Sequence, residues 1–244
     1  NHAIITNIYS DHLKYHGSFL NYVKSKFKIQ SFLKKDGCLH INKFDKKRYS
    51  NLINIHNKNL NVISNINFKN KIFGFDINLL NKNFTKKILT FSDFNYNPNI
   101  NLKNLPFRNE IIGNKSNPII INDSKSTNLE NSIIKINQIN LKKKIIILGG
   151  IPKKSNIKKH IVRNSLVLIF GPNRFKIIKM LEFVNSNFFN FYDLENLFKF
   201  LKIIIYQTKL DVILFSPGGE SFDQFKDYSH RGRIFNNFIK KLKI

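Results

Sequence analysis

The chain has 244 residues, enough for one large domain or two small ones, each with its own hydrophobic core. Its hydrophobic content of 42% is ordinary for a soluble protein. No apolar run approaches the roughly 18 residues of a membrane-spanning helix, so the sequence offers no candidate for such a helix. The formal net charge of +26 comes mostly from lysines scattered among many Asn and Ile residues, as is typical of a drifting A+T-rich gene; a polyanion-binding surface is the alternative.

The amino-terminal part of the chain predicts a small α/β domain. Ser18 caps a predicted helix whose apolar positions continue at helical spacing to Leu33, with Gly37 as its stop. Residues 78–91 are ambiguous in period and are interpreted as a helix, and the Asn-rich stretch 93–104 as an interdomain linker. The predicted strands of this part lie at 3–9, 39–41, 62–64 and 71–75.

The single cysteine and the single methionine of this chain are informative about disulfide bonds and about the amino terminus. Cys38 is the only cysteine, which excludes a disulfide framework and predicts a buried thiol rather than a cysteine metal site. With no secretory signal pattern at Asn1, we expect a cytoplasmic protein. The only methionine is Met180, so we expect that an amino-terminal part has been lost, processed off or encoded elsewhere.

The carboxy-terminal part alternates regularly between strand and helix patterns. Predicted strands lie at 119–122, 144–148, 165–170, 188–191 and 212–216. Predicted helices lie at 127–139, 175–184 and 193–205, with a last helix-period segment at 234–242. This alternation predicts an α/β domain with a parallel sheet and helices on both faces.

A glycine pair follows the last predicted strand. Gly218 and Gly219 open the stretch G-G-E-S-F-D-Q-F-K-D-Y-S-H-R-G before the last helical pattern. Open α/β sheets place ligand sites at such positions, because backbone N–H groups at the turn can meet an anion. The alternative is a plain corner between a strand and a helix.

Three blocks of sequence, in order along the chain, resemble the Mur ligases. The first runs from I-T-N-I at Ile5 through D-H-L to Tyr22 and Lys26; the others are N-D-S-K-S-T-N at 122–128 and S-F-D-Q-F-K with its R-G at 221–232. The Asp-Asn-Pro-Arg motif of the members that add a diamino acid is absent, which favours the branch that adds D-glutamate. The resemblance implies part of a central ATP-binding domain with a linker over 1–104, and a Rossmann-like glutamate-binding domain over 105–244.

The resemblance also implies an activity. The glutamate-adding members join D-glutamate to UDP-N-acetylmuramoyl-L-alanine through an acyl phosphate, using ATP and Mg²⁺, in peptidoglycan precursor synthesis. This sequence contains neither a G-x-x-x-x-G-K-[ST] phosphate loop nor the family's uridine-nucleotide domain, so we expect a separate chain to carry both. We expect neither a membrane nor a nucleic-acid partner. The alternative is an eroded, non-catalytic remnant that acts as a basic nucleic-acid-binding or partner protein.

The same resemblance assigns roles in metal and nucleotide binding. His12 matches a metal ligand, and Lys26 matches a lysine that becomes an oxygen ligand when carbamylated, with Lys24 as the neighbouring alternative. Lys125 matches a lysine near the reacting carboxyl group. Asn78, Arg108 and Asp123 match positions that contact the nucleotide. Asn81 follows Asn78 at the family's spacing, which chance also explains in so Asn-rich a chain.

Five further positions match the family's D-glutamate site. Thr127 and Lys153 would hold the α-carboxylate, while Ser221, Phe222 and Tyr228 would surround the side-chain carboxylate. The sequence departs from the family's pattern at three positions close to predicted site residues. It has Lys14 for an acid near His12, Phe107 for a histidine before Arg108, and Ser155 for a glycine after Lys153.

Overall fold

The computed structural model describes residues 2–8, 13–54, 59–63, 85, 89, 105–112, 118–153 and 159–242. The chain divides into two compact units, one of residues 1–70 with 75–102 and one of residues 71–74 with 103–244. The predicted strand 71–75 and the linker 93–104 lie outside the described residues, as does the predicted helix 78–91 apart from Thr85 and Leu89.

The amino-terminal unit contains a three-stranded parallel sheet in the order β1-β2-β3. Its strands are β1 (His2–Ile5), β2 (Cys38–Asn42) and β3 (Asn59–Ile63). The helices that the structure describes from end to end in this unit are α1 (Leu13–His16), α2 (Phe19–Phe27) and α3 (Lys43–Arg48), with 3-10 turns at Lys28–Phe32 and Ser50–Leu52.

Helix α2 begins where the sequence predicts and ends earlier. The Ser18 side chain accepts a hydrogen bond from the Asn21 N–H at 3.1 Å, as an N-cap does. The predicted continuation to Leu33 is wrong, because the chain tightens into a 3-10 turn after Phe27. That tightening leaves Phe32 80% exposed, while Leu33 still reaches the core.

The carboxy-terminal unit is built on a six-stranded sheet in the order β10-β8-β6-β11-β5-β4, in which only β4 is antiparallel to its neighbour. Its strands are β4 (Glu110–Ile112), β5 (Ile119–Asn122), β6 (Lys144–Gly149), β8 (Leu166–Phe170), β10 (Asn187–Phe191) and β11 (Val212–Gly218). The strands β7 (His160–Arg163) and β9 (Leu181–Val184) pair with each other in parallel. The helices are α4 (Leu129–Gln138), α5 (Arg174–Lys179), α6 (Leu194–Gln207) and α7 (Tyr228–Leu242).

The four central strands of the six-stranded sheet, β8, β6, β11 and β5, are buried on both faces. Along β6, Ile145 and Ile147 pack into one hydrophobic cluster with residues of α6 and α7, and Ile146 and Leu148 pack into another with residues of α4 and α5. Strands covered on both faces read as continuous apolar runs. The predicted α/β class, with a parallel sheet between helices, is therefore confirmed.

The prediction of a single helix over 175–184 is wrong. Helix α5 ends at Lys179, and after Met180 the residues Leu181–Val184 form β9 instead. The His160 N–H donates to the Met180 carbonyl at 2.8 Å. The apolar spacing of this stretch fits both periods, and pairing with β7, which the sequence did not predict, decides between them. The edge strand β4 was not predicted either.

Candidate functional site

Four parallel strands of the large sheet end at one edge. The loops that follow them contain residues 123–128 after β5, 150–153 after β6, 171–173 after β8 and 219–227 after β11. Carboxyl ends of parallel strands are where open α/β sheets place ligands. Most of the carboxy-terminal residues predicted to bind substrate or nucleotide lie on these loops.

A loop follows the glycine pair at the end of β11. Helix α7 begins at Tyr228, earlier than the predicted helical segment 234–242, and residues 220–227 separate the pair from it. The Gly218 N–H donates to the Ser126 carbonyl at 3.1 Å, and the Glu220 N–H donates to the Ile151 carbonyl at 2.9 Å. The protein's own carbonyls therefore take two of the N–H groups at this turn, and the anion-binding corner stays a prediction.

The glycines let the loops after β6 and β11 interlock, which means that their backbones pack directly against each other. A Cβ atom on Gly219 would lie 2.6 Å from the Gly149 carbonyl oxygen, and one on Gly150 would lie 2.4 Å from the Glu220 carbonyl oxygen. Gly150 also has a φ of +84°, which side-chain-bearing residues rarely adopt. The loops after β6 and β11 can therefore meet backbone to backbone, which fixes the start of the segment that contains Ser221.

Arg231 ties the loop after β11 to the loop after β5. Its side chain is fully buried on α7. The guanidinium donates to the Ser124 carbonyl at 2.8 Å, to the Ser124 Oγ at 3.2 Å, and from two nitrogens to the Gly219 carbonyl at 3.1 Å. Burial lowers the pKa of Arg231 to about 10. This value is still well above neutral pH, so the guanidinium stays charged. The sequence resemblance noted Arg231 only as part of a motif, and the R-G pair was the available signal.

Asp123 is buried, and both oxygens of its carboxylate accept hydrogen bonds. Its carboxylate accepts hydrogen bonds from the Ser216 Oγ at 2.9 Å, from the Asn109 N–H at 3.3 Å and from the Lys135 ammonium, which also forms an ion pair with it. Lys135 was missed as a partner of the predicted nucleotide-binding acid. In a chain so rich in lysine, no local signal singles it out.

A line of buried hydroxyl groups extends from Asp123 beneath the loop after β5. Ser216 Oγ lies 2.9 Å from Ser132 Oγ, which in turn lies 2.9 Å from Ser126 Oγ. Ser132 and Ser216 are fully buried. Hydrogen bonds in such a connected set satisfy one another and hold their members in place, so this network fixes the loop that contains Lys125 and Thr127.

Arg108 is presented by a backbone turn in an uncommon conformation. Its neighbours Phe107 and Asn109 have φ values of 60° and 50°, in the left-handed region. The turn is held by a hydrogen bond from the Lys125 N–H to the Phe107 carbonyl at 3.0 Å, and the Phe107 ring packs against Gly232. Arg108 itself is exposed beside the loop after β5.

Two of the predicted site residues from distant parts of the sequence meet. The Lys125 ammonium lies 4.1 Å from the centroid of the Tyr228 ring, a cation–π contact. The Ser124 Oγ donates to the Tyr228 carbonyl at 2.8 Å, which fixes the start of α7 against the loop after β5. This contact places a cation and an aromatic ring together at the edge of the sheet.

The remaining predicted glutamate contacts differ in exposure. Ser221 is 3% exposed, and its carbonyl accepts hydrogen bonds from the next turn. Thr127 and Lys153 are half-buried, whereas Phe222 is 70% exposed. Because the Phe222 ring lies open, it has no described packing that would hold it against a ligand, unlike the ring of Tyr228.

Two acceptor atoms in the loop after β11 are buried without a hydrogen-bond donor among the described residues. They are the Asp223 Oδ1 and the Gln224 Oε1. The other carboxylate oxygen of Asp223 accepts from the Asn173 Nδ2 at 3.4 Å, and burial raises the pKa of Asp223 above its ordinary value. Buried acceptors are normally paired, so this loop can receive a donor group or a water molecule.

The predicted metal and adenine residues belong to the amino-terminal unit. His12 and Asn78 lie outside the described residues. Lys26 is exposed on α2, with its ammonium 5.1 Å from the centroid of the Tyr22 ring, and Lys24 is exposed as well. An ammonium group only donates hydrogen bonds, so Lys26 fits a metal-binding role only as the carbamate.

Across the described residues, no helix is both long enough and apolar enough to cross a membrane.

Comparison with known proteins gives one family. The family model of the Mur ligase middle domain matches residues 1–117. Two curated relatives are the UDP-N-acetylmuramoylalanine–D-glutamate ligases of Petrotoga mobilis, 30% identical, and Buchnera aphidicola, 32% identical. Each alignment covers 98% of this chain and 60% of the relative. The enzyme of the same name from Prochlorococcus marinus is 38% identical over 59% of this chain and 32% of its own length.

Solved structures agree at the level of fold. MurF ligase from Thermotoga maritima, crystallised in complex with ADP, matches with a TM-score of 0.66 at 15% identity, over 99% of this chain and 62% of that one. The UDP-N-acetylmuramate–alanine ligase MurC of the same organism matches with a TM-score of 0.52 at 15% identity, over 99% of this chain and 60% of that one. The chain thus spans about 60% of the length of the relatives that it matches from end to end.

Proposed function

The chain belongs to the Mur ligase family, and from that premise we propose that it supplies the glutamate-binding domain and part of the ATP-binding domain of a D-glutamate-adding ligase. The reaction would join D-glutamate to UDP-N-acetylmuramoyl-L-alanine, in the cytoplasmic synthesis of peptidoglycan precursors. The names of the curated relatives support this assignment. In this proposal residues 1–104 belong to the ATP-binding domain and residues 105–244 form the glutamate-binding domain.

The observation that carries the proposal is the meeting of Lys125 with Tyr228. These two residues stand 103 positions apart in sequence (228 − 125), and both match family positions near the reacting groups. Their 4.1 Å contact lies at the sheet edge where Arg231 and Ser124 join the two loops. A random basic surface would not need a buried arginine to hold a lysine and an aromatic ring in place.

The chemistry places separate demands on this chain. Joining a carboxylate to an amine in water requires an activated acyl group, here an acyl phosphate made from ATP. The Arg108 guanidinium would reach the phosphates, since its planar set of donors suits them. Asp123 would contact the nucleotide, which requires Lys135 to share or release its carboxylate, and Lys125 would lie beside the reacting carboxyl group.

The family resemblance assigns further nucleotide and metal contacts to residues 1–104. Asn78 would contact the adenine. His12 and carbamylated Lys26 would hold Mg²⁺, which would supply positive charge to offset the charge on the transferring phosphoryl group. A phosphate loop and a uridine-binding domain are also required, and we propose that another part of the ligase, in the same or a second polypeptide, supplies them.

D-glutamate would be held at two ends. Thr127 and Lys153 would bind the α-carboxylate, while the Ser221 hydroxyl, the backbone at Phe222 and the region of Tyr228 would bind the side-chain carboxylate. Each hydrogen bond to a charged group contributes about 1.5–3 kcal/mol. Loss of the Ser221 hydroxyl should therefore weaken binding of D-glutamate by roughly tenfold or more.

Titration of D-glutamate into the isotope-labelled full chain, followed by NMR, tests the proposal. We expect resonances of Thr127, Lys153 and Ser221 to shift with D-glutamate and much less with L-glutamate. Ser221→Ala should weaken the response, and Ser229→Ala, eight positions along on α7, should not. If D-glutamate moves none of these resonances even at high concentration, the assignment of the glutamate site is wrong.

A further inference from the structure

Strand alternation brings three residues of metal-binding types, two histidines and a cysteine, to one face of the amino-terminal sheet. Alternate residues of a strand point to opposite faces, so Cys38 and His40 share one face of β2. In the parallel register His2 of β1 stands beside Cys38. The other face of these strands packs its apolar residues, Leu39 and Ile41 among them, into the hydrophobic core.

The three side chains converge closely. The His2 Nδ1 lies 3.0 Å from the His40 Nε2, and one ligand atom from each of His2, Cys38 and His40 lies within 4.8 Å of the other two. His40 is fully buried and Cys38 is 2% exposed, while His2 is partly exposed. The group is therefore enclosed on its β2 side and reachable from its β1 side.

This set of atoms suits a particular class of ion. Two imidazole nitrogens and a thiolate are ligands that zinc prefers, at about 2.0–2.1 Å for nitrogen and about 2.3 Å for sulfur in a tetrahedral arrangement. Ligand atoms around such an ion lie roughly 3.3–3.7 Å apart by that geometry, so small side-chain rotations would suffice. A hydrogen bond between the imidazoles accounts for two of the three groups, whereas the thiol donates only a long hydrogen bond, of 3.9 Å, to the Leu39 carbonyl.

We propose that His2, Cys38 and His40 form a binding site for a zinc-type transition-metal ion, with a fourth position open to water on the side of His2. The site would fasten β1 to β2. It uses nitrogen and sulfur ligands, unlike the oxygen-rich site expected for Mg²⁺, and it does not depend on the ligase reaction. The prediction that Cys38 is a buried thiol is confirmed, but a single cysteine excludes only sites made of cysteine alone.

Cobalt titration gives a direct test, because Co²⁺ replaces Zn²⁺ and reports its ligands spectroscopically. The full chain, without a polyhistidine tag and stripped with a chelator, is titrated with Co²⁺ and then with Zn²⁺. We expect one ion per chain and a thiolate-to-cobalt charge-transfer band that Zn²⁺ abolishes. Cys38 is the only cysteine, so such a band can come from no other residue. Absence of the band in the unmodified chain overturns the proposal.

Variants separate this site from surface binding. Loss of groups that only support a metal ligand weakens binding by about 10–100-fold, so His2→Gln, which removes a ligand, should weaken it by at least about 100-fold. His2 is partly exposed, so this variant should fold. His230→Gln, at a histidine of the other unit, is the matched control and should bind as the unmodified chain does. Equal affinities of the two variants would assign the binding to the surface and overturn the proposal.

Discussion

A single methyl group added at Gly219 should separate the two interlocked loops of the carboxy-terminal unit. In Gly219→Ala the new Cβ would lie 2.6 Å from the Gly149 carbonyl oxygen and 2.9 Å from the Ile151 nitrogen. Both are backbone atoms, which no side-chain rotation can move away. The loop after β6 or the loop after β11 must therefore shift.

The size of the effect follows from the hydrogen bonds that such a shift would break. Two backbone bonds join Ile151 and Glu220, at 2.8 and 2.9 Å, and contribute about 0.5–1.5 kcal/mol each. The bond from the Arg231 guanidinium to the Gly219 carbonyl is charge-assisted and contributes about 1.5–3 kcal/mol. Their sum is about 2.5–6 kcal/mol, and we expect the free energy of unfolding to fall by about 3–5 kcal/mol.

Urea unfolding followed by far-UV circular dichroism measures this loss, and hydrogen exchange of peptides over 144–153 and 212–232 locates it. The matched control is Gly171→Ala in the same unit. Gly171 has a φ of +95°, but its Cβ would first meet only the flexible end of Gln224, at 3.1 Å. Its cost should therefore be the conformational one, about 1–2 kcal/mol. If Gly219→Ala costs no more than Gly171→Ala, the interlock does not stabilise the unit.

Three further predictions concern pH, charge and the carbamate. Burial lowers the pKa of His160 below its ordinary value of 6.5, so the unfolded state takes up the proton first as the pH falls. The free energy of unfolding should therefore decrease as the pH drops below 6.5. Urea unfolding at pH 7 and pH 5 should show this decrease, and His160→Gln should reduce it. If lysine enrichment is drift, fluorescence anisotropy should find weak, sequence-blind binding to duplex DNA that fades steeply between about 50 and 200 mM salt, whereas tight, selective binding at physiological salt would favour the nucleic-acid alternative. In a reconstituted ligase, Lys26→Ala should lose activity that short carboxylic acids partly restore, with Lys24→Ala mild; equal losses would contradict the choice of Lys26.

The centre of the large sheet was predictable because its strands are buried on both faces. Residues 119–122 form β5 as predicted, and the predicted strand at 144–148 extends by one residue in β6. Continuous apolar runs bounded by polar residues leave little choice of register or length. Residues 175–184 offered no such constraint, since their apolar positions fit a helix and a strand equally, and only the partner strand β7 settles the outcome.

The candidate site was predictable by residue type and not by conformation. Lys125 and Tyr228 were assigned from local motifs, and the structure brings them into contact. The closure of the glycine turn by Ser126 and Ile151 depends on loops that follow other strands. The engagement of Asp123 by a lysine on α4 is likewise a tertiary contact, so sequence spacing alone could not reveal it.

The buried guanidinium of Arg231 makes four hydrogen bonds, more than the three donors of a lysine ammonium allow. Its three nitrogens donate to the carbonyls of Ser124 and Gly219 and to the Ser124 hydroxyl. A buried ammonium can bond two carbonyls, as that of Lys144 does, but the planar guanidinium spreads its donors over three nitrogens. In a chain whose surface is loaded with lysine, this geometric demand explains an arginine at the junction of the proposed nucleotide and glutamate loops. Arg231 therefore fixes the two loops against each other, whereas Arg108 lies exposed beside the loop after β5.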